Sequence, residues 1–161
     1  LARLTDASDN FVALGLVLIG VGFTIGNHLG GKLADRSLDG ATTTFLAALA
    51  VIMLVLPFAL QSHVGAAIGL LVWGAAAFAV VPPLQMRVME AAAEAPGLAS
   101  SINVGAFNLG NAVGAALGGG VISLGLGYAV VPVAGGLLAA SGVLLVWLGR
   151  ASKRAGQTVK A

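Results

Sequence analysis

The sequence predicts an all-α integral membrane protein: a bundle of five transmembrane helices. Three observations carry that prediction. Of 161 residues, 58% are hydrophobic and 9% charged, whereas a globular domain carries roughly 25% charged residues. The mean hydropathy is +1.01, so the chain cannot cover a water-facing surface. The apolar residues also gather into five long stretches, each near the roughly 20 residues that a helix needs to cross a bilayer core. A transmembrane barrel would show alternating segments of about ten residues, and a soluble bundle would keep a polar stripe on every helix. Neither pattern is present.

The first expected span covers residues 11–29, "FVALGLVLIGVGFTIGNHL", and the second residues 41–60, "ATTTFLAALAVIMLVLPFAL". Between them lies "GGKLADRSLDG", a burst of charge that reads as a tight turn, reversed at its glycines and held on one side of the membrane by Lys32 and Arg36. The third span covers 64–84 and ends at the pair Pro82-Pro83; the fourth covers 98–122 and the fifth 128–148. Short connections make neighbouring spans antiparallel. With the 30–40 loop on the cytoplasmic side, Lys32, Arg36, Arg87, Arg150, Lys153, Arg154 and Lys160 all lie inside and only Arg3 outside. Basic residues retained in the cytoplasm set orientation, so the N-terminus is expected outside and the C-terminus inside. The tail "RASKRAGQTVK" then reads as a basic anchor near anionic lipid. The first residue is Leu1 and no cleavable leader pattern opens the chain. An odd span number with that start suggests a piece of a longer polypeptide.

Glycine is abundant, with 24 residues. Gly22, Gly26 and Gly30 recur at helical spacing in the first span, and Gly110, Gly114 and Gly118 do so in the fourth. Small residues four apart let helix backbones approach closely, which drives packing where lipid offers no hydrophobic incentive. Pro57, Pro82, Pro83 and Pro132 lie inside spans or near their ends, where the missing N–H can kink a helix. Kinked, glycine-laddered helices suit either a bundle that rocks or one that is simply packed tightly.

The fourth span is the most informative. Asn103, Asn108 and Asn111 interrupt a run of small and apolar residues. At about 100° per residue, Asn103, Phe107, Gly110, Asn111, Gly114 and Gly118 share an arc of about 100°, with Asn108 about 60° beyond. Unpaired amides in hydrocarbon are costly, so this face meets another helix or lines a cavity; Asn103, Phe107 and Asn111, with Trp73 as a flat wall, are the candidates for the second role. Trp73 can equally be a packed core residue. His28 and His63 lie near span ends and read as structural. No acidic residue lies deep in a span, so a proton-coupling carboxylate is not expected in this stretch of chain.

The remaining signals are exclusions. A net charge of +2 gives no field to steer nucleic acid. There is no cysteine, hence no disulfide or thiolate metal site. No nucleophile elbow, metal-spaced histidine pair, phosphate loop or dinucleotide fingerprint occurs, so neither an enzyme nor a cofactor is expected.

The segment "GNHLGGKLADR", a glycine-flanked G-x-L-A-D-R turn between two membrane helices, resembles the cytoplasmic loop motif of the major facilitator superfamily. "WGAAAFAVVPPLQMRVM" is similar to the tenth helix of its drug- and sugar-efflux branch, and "APGLASSINVGAFNLGNAVGAALGGGVISLGLG" to the eleventh. The resemblance covers the chain in order as helices 8 to 12. It implies the C-terminal half of a twelve-helix transporter, incomplete by one helix, whose partner is the N-terminal half of the same polypeptide. It implies a multi-pass protein of the cell inner (plasma) membrane that exports small molecules in exchange for protons. It also implies that both glycine ladders face that other half. Gly31, Asp35 and Arg36 would form a gate, with Asp35 capping a helix or pairing with a basic residue. Ser37, Leu38 and Asp39 depart from the fuller motif. A reading of another class is a non-transporting scaffold that oligomerises through its glycine faces.

Overall fold

A computed structural model describes residues 8–158, with side chains described as far as residue 151. The side chains of Arg3, Lys153, Arg154 and Lys160, on which the basic tail and part of the charge bias rest, lie outside the described residues. Six helices follow in order: α1 (Asp9–Ala34), α2 (Leu38–Ala59), α3 (His63–Ala79), α4 (Val81–Ala91), α5 (Pro96–Ser123) and α6 (Val130–Thr158). The chain is all-α, with no strand among the described residues. Four spans are long and apolar enough to cross a membrane: α1, α2, α3 with α4 taken together as His63–Ala91, and the Val130–Ala151 part of α6. The fourth expected span differs. Helix α5 has the length, with 28 residues rising about 1.5 Å each, but its amides, serines and glycines leave it less apolar than the others.

The third span also differs from its expected limits, because the helix continues beyond residue 84 to Ala91. Pro82 and Pro83 bring no N–H to the ladder, so the rod breaks at Val80, which ends α3 and starts α4. Pro57 and Pro132 break nothing. The first lies in the last turn of a continuous α2; the second falls in the first turn of α6, where the N–H would have no intrahelical partner anyway.

The turns are built by capping. Ser37 Oγ accepts the Gly40 N–H at 3.0 Å and starts α2; Ser62 Oγ accepts the Gly65 N–H at 3.1 Å and starts α3. Each such N-cap contributes about 1 kcal/mol. The reversal between α1 and α2 therefore runs through Asp35, Arg36 and Ser37, and the flanking glycines do not make it: Gly31 and Gly40 sit inside helices. Positive φ is confined, among described residues, to Gly125 (73°) and Gly127 (86°). Gly125 closes α5, with its N–H on Ile122 O at 3.0 Å and the Leu126 N–H on Val121 O at 3.2 Å. That pattern needs a left-handed residue just past the helix end.

Two helix pairs dominate the packing. Gly15, Gly22, Gly26, Gly30 and Ala34 form the buried stripe of α1, and it lies on α3. A Cβ at Gly22, Gly26 or Gly30 would strike the carbonyl oxygens of Leu71, Ala75 and Ala79 respectively, while one at Gly74 would come within 2.8 Å of Ile19 O. Partners on α3 advance four residues for every four on α1, so the two helices run parallel. The first ladder thus meets its partner inside this chain, which corrects the expectation that it faces an absent half. Helix α6 pairs antiparallel with α2: Gly136 approaches Ala50 O, at 3.2 Å from an added Cβ, and Gly142 approaches Leu46. The buried residues are small or aliphatic, including Ala41, Ala50, Leu56, Ala66, Leu70 and Ala79, whereas large apolar side chains such as Phe58 (73% exposed) and Leu145 (68%) point outward. This inside-out distribution suits a chain solvated by lipid.

Candidate functional site

Helix α5 stands at the edge of the bundle and touches only α4 and α6 among the elements with substantial contacts. Between α4 and α5 runs a groove of about 500 Å³, bordered by Arg87 and Val88 on one wall and by Asn103, Phe107, Gly110 and Asn111 on the other. Sequence periodicity placed these α5 residues on one arc, and that arc is the one the groove occupies. Asn103 is 9% exposed, Phe107 half-buried and Asn111 exposed. The groove is apolar apart from two amides and one guanidinium, the usual make-up of a small-molecule pocket: hydrophobic walls with a few polar anchors.

Trp73 does not belong to this groove. It packs against the cluster of Leu56, Leu60 and Ala66, with its ring centroid 6.4 Å from that of Phe23. Phe23 in turn stacks on Phe78 at 3.9 Å. Trp73 is a core residue of the α1–α2–α3 contact. His63 opens α3 and meets Phe11 edge-on at 4.9 Å, while His28 is exposed on α1.

The charged turn faces a second cavity of about 630 Å³, bordered by Asp35, Arg36, Ser37, Asp39, Arg87 and Glu90. Its ion pairs are not those expected from Asp35. The Asp35 N–H bonds to Gly31 O at 3.0 Å and ends α1, but its exposed carboxylate makes no ion pair among the described residues. Arg36 makes none either, and Gly31 has open space where a Cβ would stand. Asp39 is the centre: its Oδ1 lies 2.8 Å from Arg87 Nη1 and 3.7 Å from Arg150 Nε. Ser37 starts α2 so that Asp39 falls in the first helical turn, where the helix dipole favours a carboxylate. The start of α2, the end of α4 and the C-terminal part of α6 therefore meet at one end of the bundle. This trio was missed because the loop motif drew attention to Asp35. A signal existed: no Asp, Glu, Lys or Arg separates Asp39 from Arg87, or Glu94 from Arg150, and the charge bias had put both arginines on the side of the loop.

The second glycine ladder stays uncovered. An added Cβ would meet nothing within 4 Å at Gly110 or Gly114, and only an ordinary contact with Val131 at 3.5 Å at Gly118. Among the described residues no group of three or more histidines or carboxylates could hold a metal.

Comparison with known proteins agrees with this architecture. The chain is 63% identical over 148 residues to the inner membrane transport protein YdhP of Escherichia coli (strain K12), a match covering 92% of this chain and 38% of that protein. It is 34% identical over 149 residues to a Bacillus subtilis protein named "Uncharacterized MFS-type transporter YtbD", covering 90% of this chain and 37% of the relative. A second protein of B. subtilis, named as the MFS-type transporter YfhI, is 29% identical over 130 residues, covering 81% and 33%. The chain thus spans only 33–38% of the length of these relatives. No family model and no solved structure matches it. Membrane-length apolar helices, the G-x-L-A-D-R turn, the amide-bearing α5 and this set of relatives converge on one conclusion: the chain is a multi-pass membrane protein similar, over nine tenths of its length, to part of an inner membrane transport protein and of a transporter of the major facilitator type.

Proposed function

We propose that the chain is the C-terminal part of a secondary transporter, corresponding to helices 8 to 12, that exports small, partly apolar molecules such as drugs or sugars in exchange for protons. In this reading it lies in the cell inner membrane with its C-terminus cytoplasmic, and α5 also crosses the membrane, as the fourth of five spans, sheltered by the N-terminal half. Alternating access moves one half against the other around a midplane site. The observation that carries the reading is the groove that gathers Asn103, Phe107 and Asn111 beside the bare glycine face of α5. Such a face buries amides only if another surface closes over it. The Asp39–Arg87–Arg150 trio, with Asp35 and Arg36 in the adjoining turn and Gly31 at the end of α1, acts as the cytoplasmic latch. The names of the relatives support transport as the activity.

The test uses the full-length gene product in everted membrane vesicles with a drug and sugar panel. Asn103→Ala and Asn111→Ala should each lower transport severalfold at unchanged membrane abundance, and collapsing the pH gradient should stop accumulation. Transport of every substrate at the wild-type rate in both variants would refute the assignment of the groove.

A further inference from the structure

Arg87 borders two cavities at once. It lines the α4–α5 groove with Asn103 and Asn111, and it lines the loop cavity where Asp39 stands. It is the only charged residue on the groove wall among the described residues. Its Nη1 lies 2.8 Å from Asp39, yet neither that nitrogen nor Nε and Nη2 of Arg150 has a well-directed hydrogen bond among the described residues, although all three are buried from solvent. One carboxylate therefore serves two guanidiniums, and the donors exceed the acceptors. Buried charged donors without acceptors are costly, and a planar guanidinium matches a carboxylate in a two-pronged geometry.

From this arrangement we infer that the groove takes amphipathic organic anions, molecules with an apolar body and one carboxylate, and that Arg87 is the group that selects them. The inference rests on the transporter reading and specifies its substrate class. The apolar body lies along Val88, Phe107 and the Gly110 backbone. The amides of Asn103 and Asn111 donate to the carboxylate beside Arg87. The same exchange acts on the latch: when Arg87 turns to the anion, Asp39 keeps Arg150 as its counter-ion, so the pair that holds the loop to α4 opens without stranding a charge. An anion in the groove and a closed latch thus compete for one guanidinium.

The test is equilibrium binding to the purified full-length protein in detergent, with matched probes: phenylacetate against phenylacetamide, and decanoate against decanamide. A charge-assisted pair contributes about 1.5–3 kcal/mol, so at least one anion should bind about tenfold or more tightly than its amide. Arg87→Gln should erase that difference, and Arg87→Lys should restore part of it. Asp39→Asn should strengthen anion binding severalfold, because the competing carboxylate is gone; this variant also guards against a fold lost with Arg87. Equal affinity for acids and amides, or a preference that survives Arg87→Gln, overturns the inference. Failure here is distinct from failure of the transport reading. A wild-type protein that moves neutral panel compounds but ignores the acids refutes the substrate class alone, whereas one that neither binds nor moves any compound refutes both.

Discussion

Two ladders of three glycines, each spaced by four, have opposite fates in this molecule. Gly22, Gly26 and Gly30 press on the backbone of α3 so closely that a Cβ on any of them would occupy the place of a carbonyl oxygen. At Gly110 and Gly114 the same construction meets empty space. The difference is not in the ladders, since both are small faces on apolar helices. It lies in how the chain delivers a partner. Serine caps at Ser37 and Ser62 make two short turns, so α3 returns parallel to α1 with its own small residues, Gly74, Ala75 and Ala79, in step. Helix α5 follows the four-residue connection 92–95 after α4 and comes to rest at the rim. A glycine face marks where something can pack, and topology decides whether that something belongs to the same segment.

The largest expected effect comes from closing the packed ladder. Gly26→Ala puts a methyl group on the Ala75 carbonyl, where neither backbone can yield. Overpacking in a filled core costs about 1–3 kcal/mol, and this site should reach the upper end, read as a lower melting temperature in detergent. A stability equal to wild type would mean that the α1–α3 contact is not what holds this pair together.

The next effect separates two aspartates in one turn. Asp39→Asn removes the shared partner of Arg87 and Arg150 and should cost about 1 kcal/mol or less, because Asp39 is largely exposed and such pairs are screened by solvent. Asp35→Asn should change stability hardly at all, as measured by the same melting curve. Equal losses in the two variants would mean that Asp35 holds the turn as firmly as Asp39 does.

Similar in size is the loss of a cap. Ser37→Ala leaves the Gly40 N–H without its oxygen and should cost about 1 kcal/mol, with Ser37→Asp close to neutral. The smallest effect belongs to the bare ladder. Gly114→Ala should lie within about 0.5 kcal/mol of wild type in this 161-residue chain, while in the full-length protein it should slow transport if, as proposed, another half closes over the face there.

Much of the helix pattern was legible in the residues. Apolar length and the absence of alternation were enough for the helical rods, and 3.6-residue periodicity put Asn103, Phe107 and Asn111 on the face where the groove lies. What was not legible follows from what spacing encodes. It encodes faces, not partners, so Trp73 could be read as a cavity wall when it packs on Leu56 and Leu60, and the α1 ladder could be assigned to an absent surface. Polarity ended the expected third span at Leu84, although Gln85, Arg87 and Glu90 continue the helix to Ala91. Familiarity with a motif set Asp35 above Asp39, although the capping serine between them places Asp39, not Asp35, at the head of a helix pointing at two arginines.

Cysteine accessibility tests the contrast most directly, because the chain has no cysteine of its own. Ala79→Cys, at a position 1% exposed beneath the first ladder, and Gly114→Cys, on the second, would be reacted with a membrane-permeant maleimide in nanodiscs. The account predicts that Cys at 114 reacts at least about tenfold faster than Cys at 79 in the 161-residue chain, and that the full-length polypeptide protects 114 while leaving 79 unchanged. Equal rates at the two positions in the short chain would contradict it.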